Sequence, residues 1–475
     1  MFEMRTCYVN FAEHLQNAWN VNFLYEGAEG EWSLEDWRRF FRQIKSFGFT
    51  DFQCWIPPTL CKKGADRDRA SGSIASLIPI CHEEGLTFHA MLAANTVGAE
   101  WFFACPNLPR ERHMILEFWS YYADLLKDAD YFTIFPGDPG GCNRNGCDHK
   151  TFLHLAAEIA WMIKDKSPHA TVILGTWGTP FSGWGGDMRE TQNYDGTFAV
   201  LVDPANHSPE VPCHIWNGTA ERARACGEDL LAMLPLFPED VMVAVNLGFN
   251  PDAEAEEGFD GRPLAAEIAK THRVVSWDYA ASEGELVCYP HYRLEKYRRK
   301  RREELAAAPY YGAICYTMSP RLNQLTLYAA AGVMQCPEKT GDTLAAEFTE
   351  KVFGDGKIGP LMRAFEIVPG WGYDETPYSR KELLSMLDEL LLRLEAAKGK
   401  EPALPIFPDV ETYRQDLVWH AENFRAMLKE EANRDEMREK YRRRALSIYE
   451  KAPLAVDERS ALSALGYSKI GEDLE

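Results

Sequence analysis

The sequence of 475 residues is long enough for a large domain with an accessory domain, since 46% of its residues are hydrophobic and 12% are aromatic. Its formal net charge of −21 argues against nucleic acid as a partner, because binding to phosphates requires a basic surface. The basic run at 298–302 is followed by Glu303 and Glu304, which favours a solvated helix face.

The amino terminus lacks the features of an export signal. It has neither a basic start nor an apolar core, and no run in the sequence approaches the roughly 20 apolar residues that a membrane span needs. We therefore expect a cytoplasmic protein without a membrane partner. In a reducing compartment the 12 cysteines are expected to be small buried side chains rather than disulfides.

Strand-like runs alternate with amphipathic helical stretches from the amino terminus to about residue 335. This alternation is typical of βα units around a parallel sheet. Eight such runs predict a (β/α)8 TIM barrel, an α/β fold, rather than an open sheet. The predicted strands are Arg5–Phe11, Thr50–Ile56, Leu86–Ala93, Tyr131–Phe135, Thr171–Gly175, Val241–Asn246, Arg273–Trp277 and Tyr311–Tyr316.

The first predicted helix has clear local signals at both ends. Ser33 is a candidate N-cap with Asp36 three residues later, and Gly48 is placed to end the helix. Between them Trp37, Phe40, Phe41, Ile44 and Phe47 form one apolar stripe.

Strand signals stop at about residue 340, and long amphipathic helical stretches follow at 381–394 and 411–451. The sequence therefore predicts a catalytic barrel over 1–337 and an all-helical C-terminal domain over 338–475. The Pro-rich stretch at 401–408 reads as a loop inside that domain. Trp371 and Tyr373 are its candidates for reaching the active site.

Catalytic and binding groups are expected where the barrel strands end, because barrel active sites lie at that face. Carboxylates, amides and aromatic rings recur at these positions, and the mixture suits a small carbohydrate. Hydroxyls need polar partners, and the apolar face of a sugar ring stacks on Trp or Tyr. Besides the carboxylates considered next, the candidates for substrate binding are Glu13, His14, Trp55, His89, Asn95, Trp177, Asn246, Asn250, Trp277, Tyr316 and Arg321.

The stretch from Tyr131 to Cys142 is the most informative motif. Its apolar first half has the composition of a strand, and the glycine-rich turn after it carries one carboxylate, Asp138. Asp138 is therefore the first catalytic candidate, although Asp and Gly also occur together in turns without a function. Asp278, after the predicted seventh strand, would face Asp138 across the barrel mouth, and Glu283 competes with Asp278 for the role of partner. Glycoside hydrolysis needs such a pair of carboxylates.

A second motif contains Cys142, Cys147 and His149, which could hold zinc. No second cysteine pair is placed to complete a tetrahedral site, so we expect neither a metal nor a Cys142–Cys147 disulfide. No cofactor is expected. A helix that starts near His149 would point its amino end at the Asp138 loop, where backbone amides favour an anion.

Three segments resemble the β-hexosaminidases of glycoside hydrolase family 20 and the α-glucuronidases. In that group the last barrel helix carries a pattern of Asn followed by Leu-Tyr and two alanines, and a segment ending in Phe-Gly starts a helical C-terminal domain. The resembling segments are Phe135–Cys142, Trp277–Tyr279, and Tyr316–Ala331 leading into Phe348–Gly354. The resemblance implies a barrel glycosidase with a helical C-terminal domain. Pro139 departs from it, because family 20 enzymes typically present Asp-Glu at that point to assist hydrolysis with the substrate's acetamido group.

Three functions stay open at this level. The first is an exo-acting glycosidase for small oligosaccharides, and the second is a barrel isomerase or lyase for sugars or sugar acids, metal-assisted through His14 and His89. The third is a noncatalytic glycan-binding barrel. The identity of the sugar, the stereochemical outcome and a homo-oligomeric state are also open.

Overall fold

Eight parallel strands close into a barrel in this computed structural model, which describes residues 1–9, 33–56, 74–97, 102–136, 145–176, 184, 220–245, 261–278, 290, 292–317, 320–366 and 378–429. The barrel strands are β1 (Met4–Val9), β2 (Asp51–Trp55), β3 (Thr87–Ala93), β4 (Tyr131–Phe135), β5 (Thr171–Gly175), β6 (Met242–Ala244), β7 (Val274–Asp278) and β8 (Gly312–Thr317). Each corresponds to one of the eight predicted strands, so the predicted (β/α)8 barrel is confirmed.

The strands pair in chain order, and β8 closes the barrel on β1. Tyr316 lies opposite Tyr8 in this last pair, and Gly312 lies opposite Met4. A Cβ atom at Gly312 would lie 2.7 Å from the Cβ atom of Met4. A side chain there would therefore force apart the two strands that close the barrel.

Helices surround the barrel and cover the apolar residues that point outward from the strands. Within the described residues, none of the helices combines the length and apolar character of a membrane span. The helices up to the last barrel unit are α1 (Leu34–Phe47), α2 (Leu77–Glu83), α3 (Pro109–Leu125), α4 (His149–Lys166), α5 (Ala220–Met233), α6 (Arg262–Ile268), α7 (Leu294–Ala307) and α8 (Gln324–Gln335), with a 3-10 turn at Leu234–Leu236.

Helix α1 has the ends that its sequence predicted. The Ser33 hydroxyl accepts a hydrogen bond from the backbone N–H of Asp36 at 3.1 Å, and the Asp36 carboxylate accepts one from the backbone N–H of Ser33 at 3.0 Å. Gly48 ends the helix at φ 107°, a left-handed conformation that suits glycine. The apolar stripe between them is buried.

A short antiparallel hairpin of Thr96–Val97 and Phe102–Phe103 follows β3 and was not predicted. Strands of two residues are too short to show an alternating pattern. The hairpin is tied to the end of β3, because the backbone N–H of Ala104 donates to the carbonyl of Asn95 at 2.9 Å.

The basic run at 298–302 is not simply a solvated helix face, so that interpretation was wrong in part. Lys300 and Arg301 of α7 are buried. Arg301 donates to Glu304 at 2.9 Å and lies over the ring of Tyr297, while Glu304 also accepts from Ser276 of β7. A buried guanidinium is tolerated here because a carboxylate neutralises it; the net charge of the segment does not reveal this.

The described elements beyond residue 337 are all helical, as predicted. They are α9 (Gly341–Phe353), α10 (Ile358–Leu361), the 3-10 helix Met362–Glu366, α11 (Arg380–Ala396) and α12 (Val410–Leu428). The boundary of the helical domain at residue 337 stays a prediction.

The C-terminal helices pack directly on the barrel helices. Phe348 of α9 contacts Phe47 of α1 and Tyr328 of α8, with ring centroids 5.9 Å and 5.3 Å away. A buried polar link runs beside this contact: Gln43 of α1 donates to Gln324 of α8, and the backbone N–H of Phe407 donates to Gln43 at 2.6 Å. We expect the barrel and these helices to unfold together.

Replacement of Phe348 by Ala tests this joint stability. The change should lower the free energy of unfolding by about 3–5 kcal/mol, because it leaves a cavity between α9 and the barrel. Denaturant unfolding followed by circular dichroism and tryptophan fluorescence measures the loss. Leu392→Ala is the control, since Leu392 is 66% exposed and should change stability by less than about 0.5 kcal/mol. Separate transitions for the two regions would contradict the expectation.

Candidate active site

Alternate residues of each barrel strand point into the barrel. Near the carboxyl ends of the strands, five of these inward positions are aromatic and no more than 6% exposed. We call this set the aromatic layer. Its members are Tyr8, Trp55, Phe135, Trp277 and Tyr316.

The rings of the aromatic layer touch across the barrel. Phe135 of β4 and Trp277 of β7 meet edge to face with centroids 5.0 Å apart, and Trp55 meets Phe135 at 5.6 Å. On the other side Tyr8 lies 4.8 Å from Tyr316 and 6.2 Å from Trp277. The layer thus separates the barrel interior from the loops that follow the strands, and it gives the mouth an aromatic floor.

Three predicted binding residues, Trp55, Trp277 and Tyr316, therefore lie in this floor. Tyr8 and Phe135 were missed. Strand alternation could have found them, because each shares its strand face with the inward positions two residues before it.

His89 lies one layer deeper, in the middle of the barrel. Its side chain is completely buried, and Nε2 lies 3.3 Å from the Gln53 amide nitrogen and within hydrogen-bond distance of the Thr133 hydroxyl. Both contacts are made by Nε2, the ring nitrogen that faces Gln53 and Thr133. Within the described part of the chain, Nδ1 has no hydrogen-bond partner. His89 is thus beneath the floor rather than at its surface.

The side chain of Asn95, two residues after β3, is also buried. Its amide nitrogen donates to the carbonyl of Ala104 at 3.0 Å, and this bond fixes the base of the hairpin. Its Oδ1 has no hydrogen-bond partner among the described residues. A role in substrate binding stays a prediction.

Arg321 follows β8 and contacts the C-terminal helices. Its Nε and Nη2 lie 2.8 Å and 2.6 Å from the same carboxylate oxygen of Asp416 in α12. This ion pair is mostly buried, with the side chains 15% and 8% exposed. It ties the segment after the last barrel strand to α12, and binding of substrate by Arg321 stays a prediction.

Most of the predicted polar site residues lie outside the described residues. Asp278 is the last residue of β7, so its place at the end of the seventh strand is as predicted. The other candidates named from the sequence lie in ranges of which no structure is described: Glu13, His14, Asp138, Cys142, Trp177, Asn246, Asn250, Glu283, Trp371 and Tyr373.

Trp184 was missed by the sequence prediction and contacts the segment that leads to Asp138. It is completely buried, its indole N–H donates to the carbonyl of Pro136 at 2.8 Å, and its ring packs on Phe152 of α4. Pro136 directly follows β4 and precedes Asp138 by two residues. Trp184 therefore fixes the backbone two residues before Asp138.

Helix α4 begins at His149 as predicted, and Asp148 caps it by accepting a hydrogen bond from the backbone N–H of Thr151 at 2.9 Å. Of the predicted Cys142, Cys147 and His149 group, two members are described. Nε2 of His149 lies 2.7 Å from a carboxylate oxygen of Asp229, and Cys147 lies beside Cys105. Within the described ranges, no three His, Cys, Asp or Glu side chains come together as a metal site requires.

Comparison with known proteins gives no match by sequence: no protein-family model and no curated protein matches the chain. Similar solved structures include a point mutant of the Thermobaculum terrenum O-GlcNAc hydrolase, 11% identical with a TM-score of 0.46 over 98% of this chain and 93% of that one. A GH138 enzyme targeting pectin rhamnogalacturonan II is 9% identical, with a TM-score of 0.46 over 98% of this chain and 62% of that one. CpGH84D is 10% identical, with a TM-score of 0.44 over 93% of this chain and 68% of that one.

These structural neighbours are glycoside hydrolases. The barrel is established by its own strand pairing. The resemblance to family 20 β-hexosaminidases and α-glucuronidases stays a prediction.

The buried state of His89 predicts a dependence of stability on pH. Burial lowers its pKa from 6.5 to about 3, because desolvation disfavours the charged ring. Between these values the unfolded chain binds one more proton than the folded chain, so stability is lost as the pH falls through this window. Removal of the imidazole by His89→Gln should reduce the slope of stability against pH by about 1.4 kcal/mol per pH unit.

Denaturant unfolding at several pH values within this window measures the two slopes. His113→Gln is the matched control, because the His113 side chain is 72% exposed. Equal slopes for the wild type and His89→Gln would show that His89 is charged in the folded protein or is not buried.

Proposed function

We propose that this chain is a glycoside hydrolase that acts on small oligosaccharides from one end, at the carboxyl-terminal mouth of the barrel. The observation that carries the proposal is the aromatic layer, in which Phe135 of β4 and Trp277 of β7 touch across the barrel. An aromatic floor offers the apolar face of a sugar ring a surface to stack on, and polar residues that follow the strands are available for its hydroxyls.

The two strands that meet in this contact carry the candidate carboxylates. Asp138 comes three residues after Phe135, and Asp278 directly follows Trp277. We assign Asp138 the role of acid, which protonates the leaving glycosidic oxygen. Its partner either attacks the anomeric carbon or activates a water, at carboxyl separations of about 5–5.5 Å or about 6.5–9.5 Å respectively.

For the partner we rank Glu283 above Asp278. Trp277 faces the interior of the barrel, and consecutive residues of a strand alternate between its two faces. Glu283 follows β7 by five residues and is not bound by that alternation. Around the mouth, Glu13, His14, Trp177 and Asn246 complete the proposed set for binding substrate hydroxyls and ring faces.

The proposal predicts the effect of removing the acid. Asp138→Asn keeps the shape of the side chain and removes the ionisable group, so kcat should fall by about 10²–10⁴ while the melting temperature stays nearly unchanged. Turnover of a panel of aryl glycosides measures this effect and identifies the sugar. Asp278→Asn and Glu283→Gln are tested in parallel. Only the variant that replaces the true partner should lose as much activity as Asp138→Asn and respond to azide.

Near-normal turnover by Asp138→Asn would return Asp138 to the role of a turn residue. No turnover of any aryl glycoside by the wild type, with binding of the free sugars, would favour a glycan-binding barrel. Conversion of free sugars that depends on a bound metal would favour the isomerase or lyase.

A further prediction concerns Trp184. Trp184→Phe keeps an aromatic ring against Phe152 but removes the hydrogen bond to Pro136, which holds the backbone two residues before Asp138. Because small displacements of a catalytic group are costly, kcat should fall by about 10-fold to 100-fold while KM changes less. Trp161→Phe is the matched control: Trp161 also donates to a backbone carbonyl, that of Leu236 at 2.8 Å, but is 55% exposed on the outer surface. Equal kcat values for the two variants would exclude this role.

A further inference from the structure

We propose that Cys105 and Cys147 form a reversible oxidation site, whose disulfide would join the segment after β3 to the start of α4. Both side chains are buried, and their Sγ atoms lie 3.4 Å apart although 42 residues separate them in the sequence. A disulfide needs sulfurs about 2.0 Å apart, so the remaining gap is within the reach of small side-chain rotations.

The backbone on both sides holds the two thiols in place. The backbone N–H of Cys105 donates to the Glu111 carboxylate at 2.6 Å, and its neighbour Ala104 is bonded to Asn95 at the end of β3. Cys147 directly precedes Asp148, which caps α4. The pair therefore lies between two structured parts of the chain, the hairpin after β3 and the start of α4.

An exposed turn leads to the pair. Asn145 and Gly146 have left-handed backbones at φ 52° and φ 70°, and this turn brings Cys147 toward Cys105. The side-chain amide nitrogen of Asn145 donates to the Cys105 sulfur at 3.6 Å, and the backbone carbonyl of Asn145 accepts from the Asn107 side-chain amide at 2.9 Å. Both residues of the turn are exposed, and among the described residues no heavy atom lies within 4 Å of the position that a Cβ atom of Gly146 would take. The oxidant is expected to approach the pair from this side.

Several other described cysteines are also buried. Burial raises the pKa of the thiols of Cys7, Cys54 and Cys81 well above its usual value, which keeps them protonated and slow to react. Cys336 is exposed and lies at the end of α8, away from the Cys105 segment in the chain. Cys336 therefore serves as the internal control for a reactive single thiol.

The oxidation can proceed by thiol–disulfide exchange with oxidised glutathione. The Cys147 thiolate attacks one sulfur of glutathione disulfide, breaks its S–S bond and releases one glutathione thiolate. The Cys105 thiolate then attacks the Cys147 sulfur of the mixed disulfide and releases the second glutathione. The protein loses two electrons and two protons, and the glutathione disulfide gains them.

The new bond would bridge the segments that follow two neighbouring strands, β3 and β4. Residue range 137–144, which contains Asp138, lies between β4 and Cys147 in the chain. Oxidation would thus restrain the amino end of α4 against the hairpin. This inference does not rest on the proposed function, because its readouts are thiol number, peptide mass and melting temperature.

The experiment treats the purified full chain with oxidised glutathione, blocks the remaining thiols by alkylation and maps the peptides by mass spectrometry. We expect a Cys105–Cys147 peptide, two fewer alkylated thiols, and a melting temperature raised by roughly 2–5 °C, all reversed by dithiothreitol. Cys105→Ser and Cys147→Ser should each abolish the linked peptide and the shift, whereas Cys336→Ser and Cys142→Ser should retain both.

Several results would overturn the proposal. They are a linked peptide that joins Cys147 to Cys142, stable glutathione adducts on Cys105 or Cys147 in place of the linked peptide, or full alkylation of both thiols under conditions that modify Cys336. Circular dichroism of each variant verifies its fold. If Cys105→Ser is unfolded, Cys105→Ala provides the same test, because it removes the sulfur without burying a hydroxyl.

Discussion

Closure of the barrel by the pairing of β8 with β1 is the constraint on which the rest of the structure depends. A sheet with free edges would leave unpaired backbone groups at Met4–Val9 and Gly312–Thr317, whereas the closed sheet pairs both strands. Closure also divides the residues of every strand into two sets. One set packs on the helices, and the other must fill a narrow interior with side chains alone.

The filling of that interior explains both the aromatic layer and the buried polar residues beneath it. Five rings seal the end that faces the proposed substrate, so the residues below them are removed from water. A histidine in such a place stays neutral and needs hydrogen-bonding neighbours, which Gln53 and Thr133 supply. The same layer gives the mouth an aromatic floor, with the other polar groups left to the segments that follow the strands.

The C-terminal helices contribute to the barrel rather than only following it. They pack through Phe348 against α1 and α8, and the bond from Phe407 to Gln43 continues the contact. Asp416 of α12 reaches Arg321, immediately past the last barrel strand. The position of Arg321 at a strand end was visible in the sequence, but its carboxylate partner lies 95 residues further along the chain.

The sequence alone determined the elements whose signals are local. Short apolar runs between turn residues predicted all eight barrel strands, and Ser33, Asp36 and Gly48 predicted both ends of α1, because these patterns depend on neighbours along the chain. It also indicated which segments follow the strands, and the proposed catalytic roles of Asp138, Asp278 and Glu283 rest on that reasoning. The tertiary structure decided which side chains meet: the contact of Phe135 with Trp277, the Cys105 and Cys147 pair, the burial of Arg301 and the bond from Trp184 to Pro136. Such contacts depend on strand register and helix packing between residues far apart in the sequence, which no local pattern encodes.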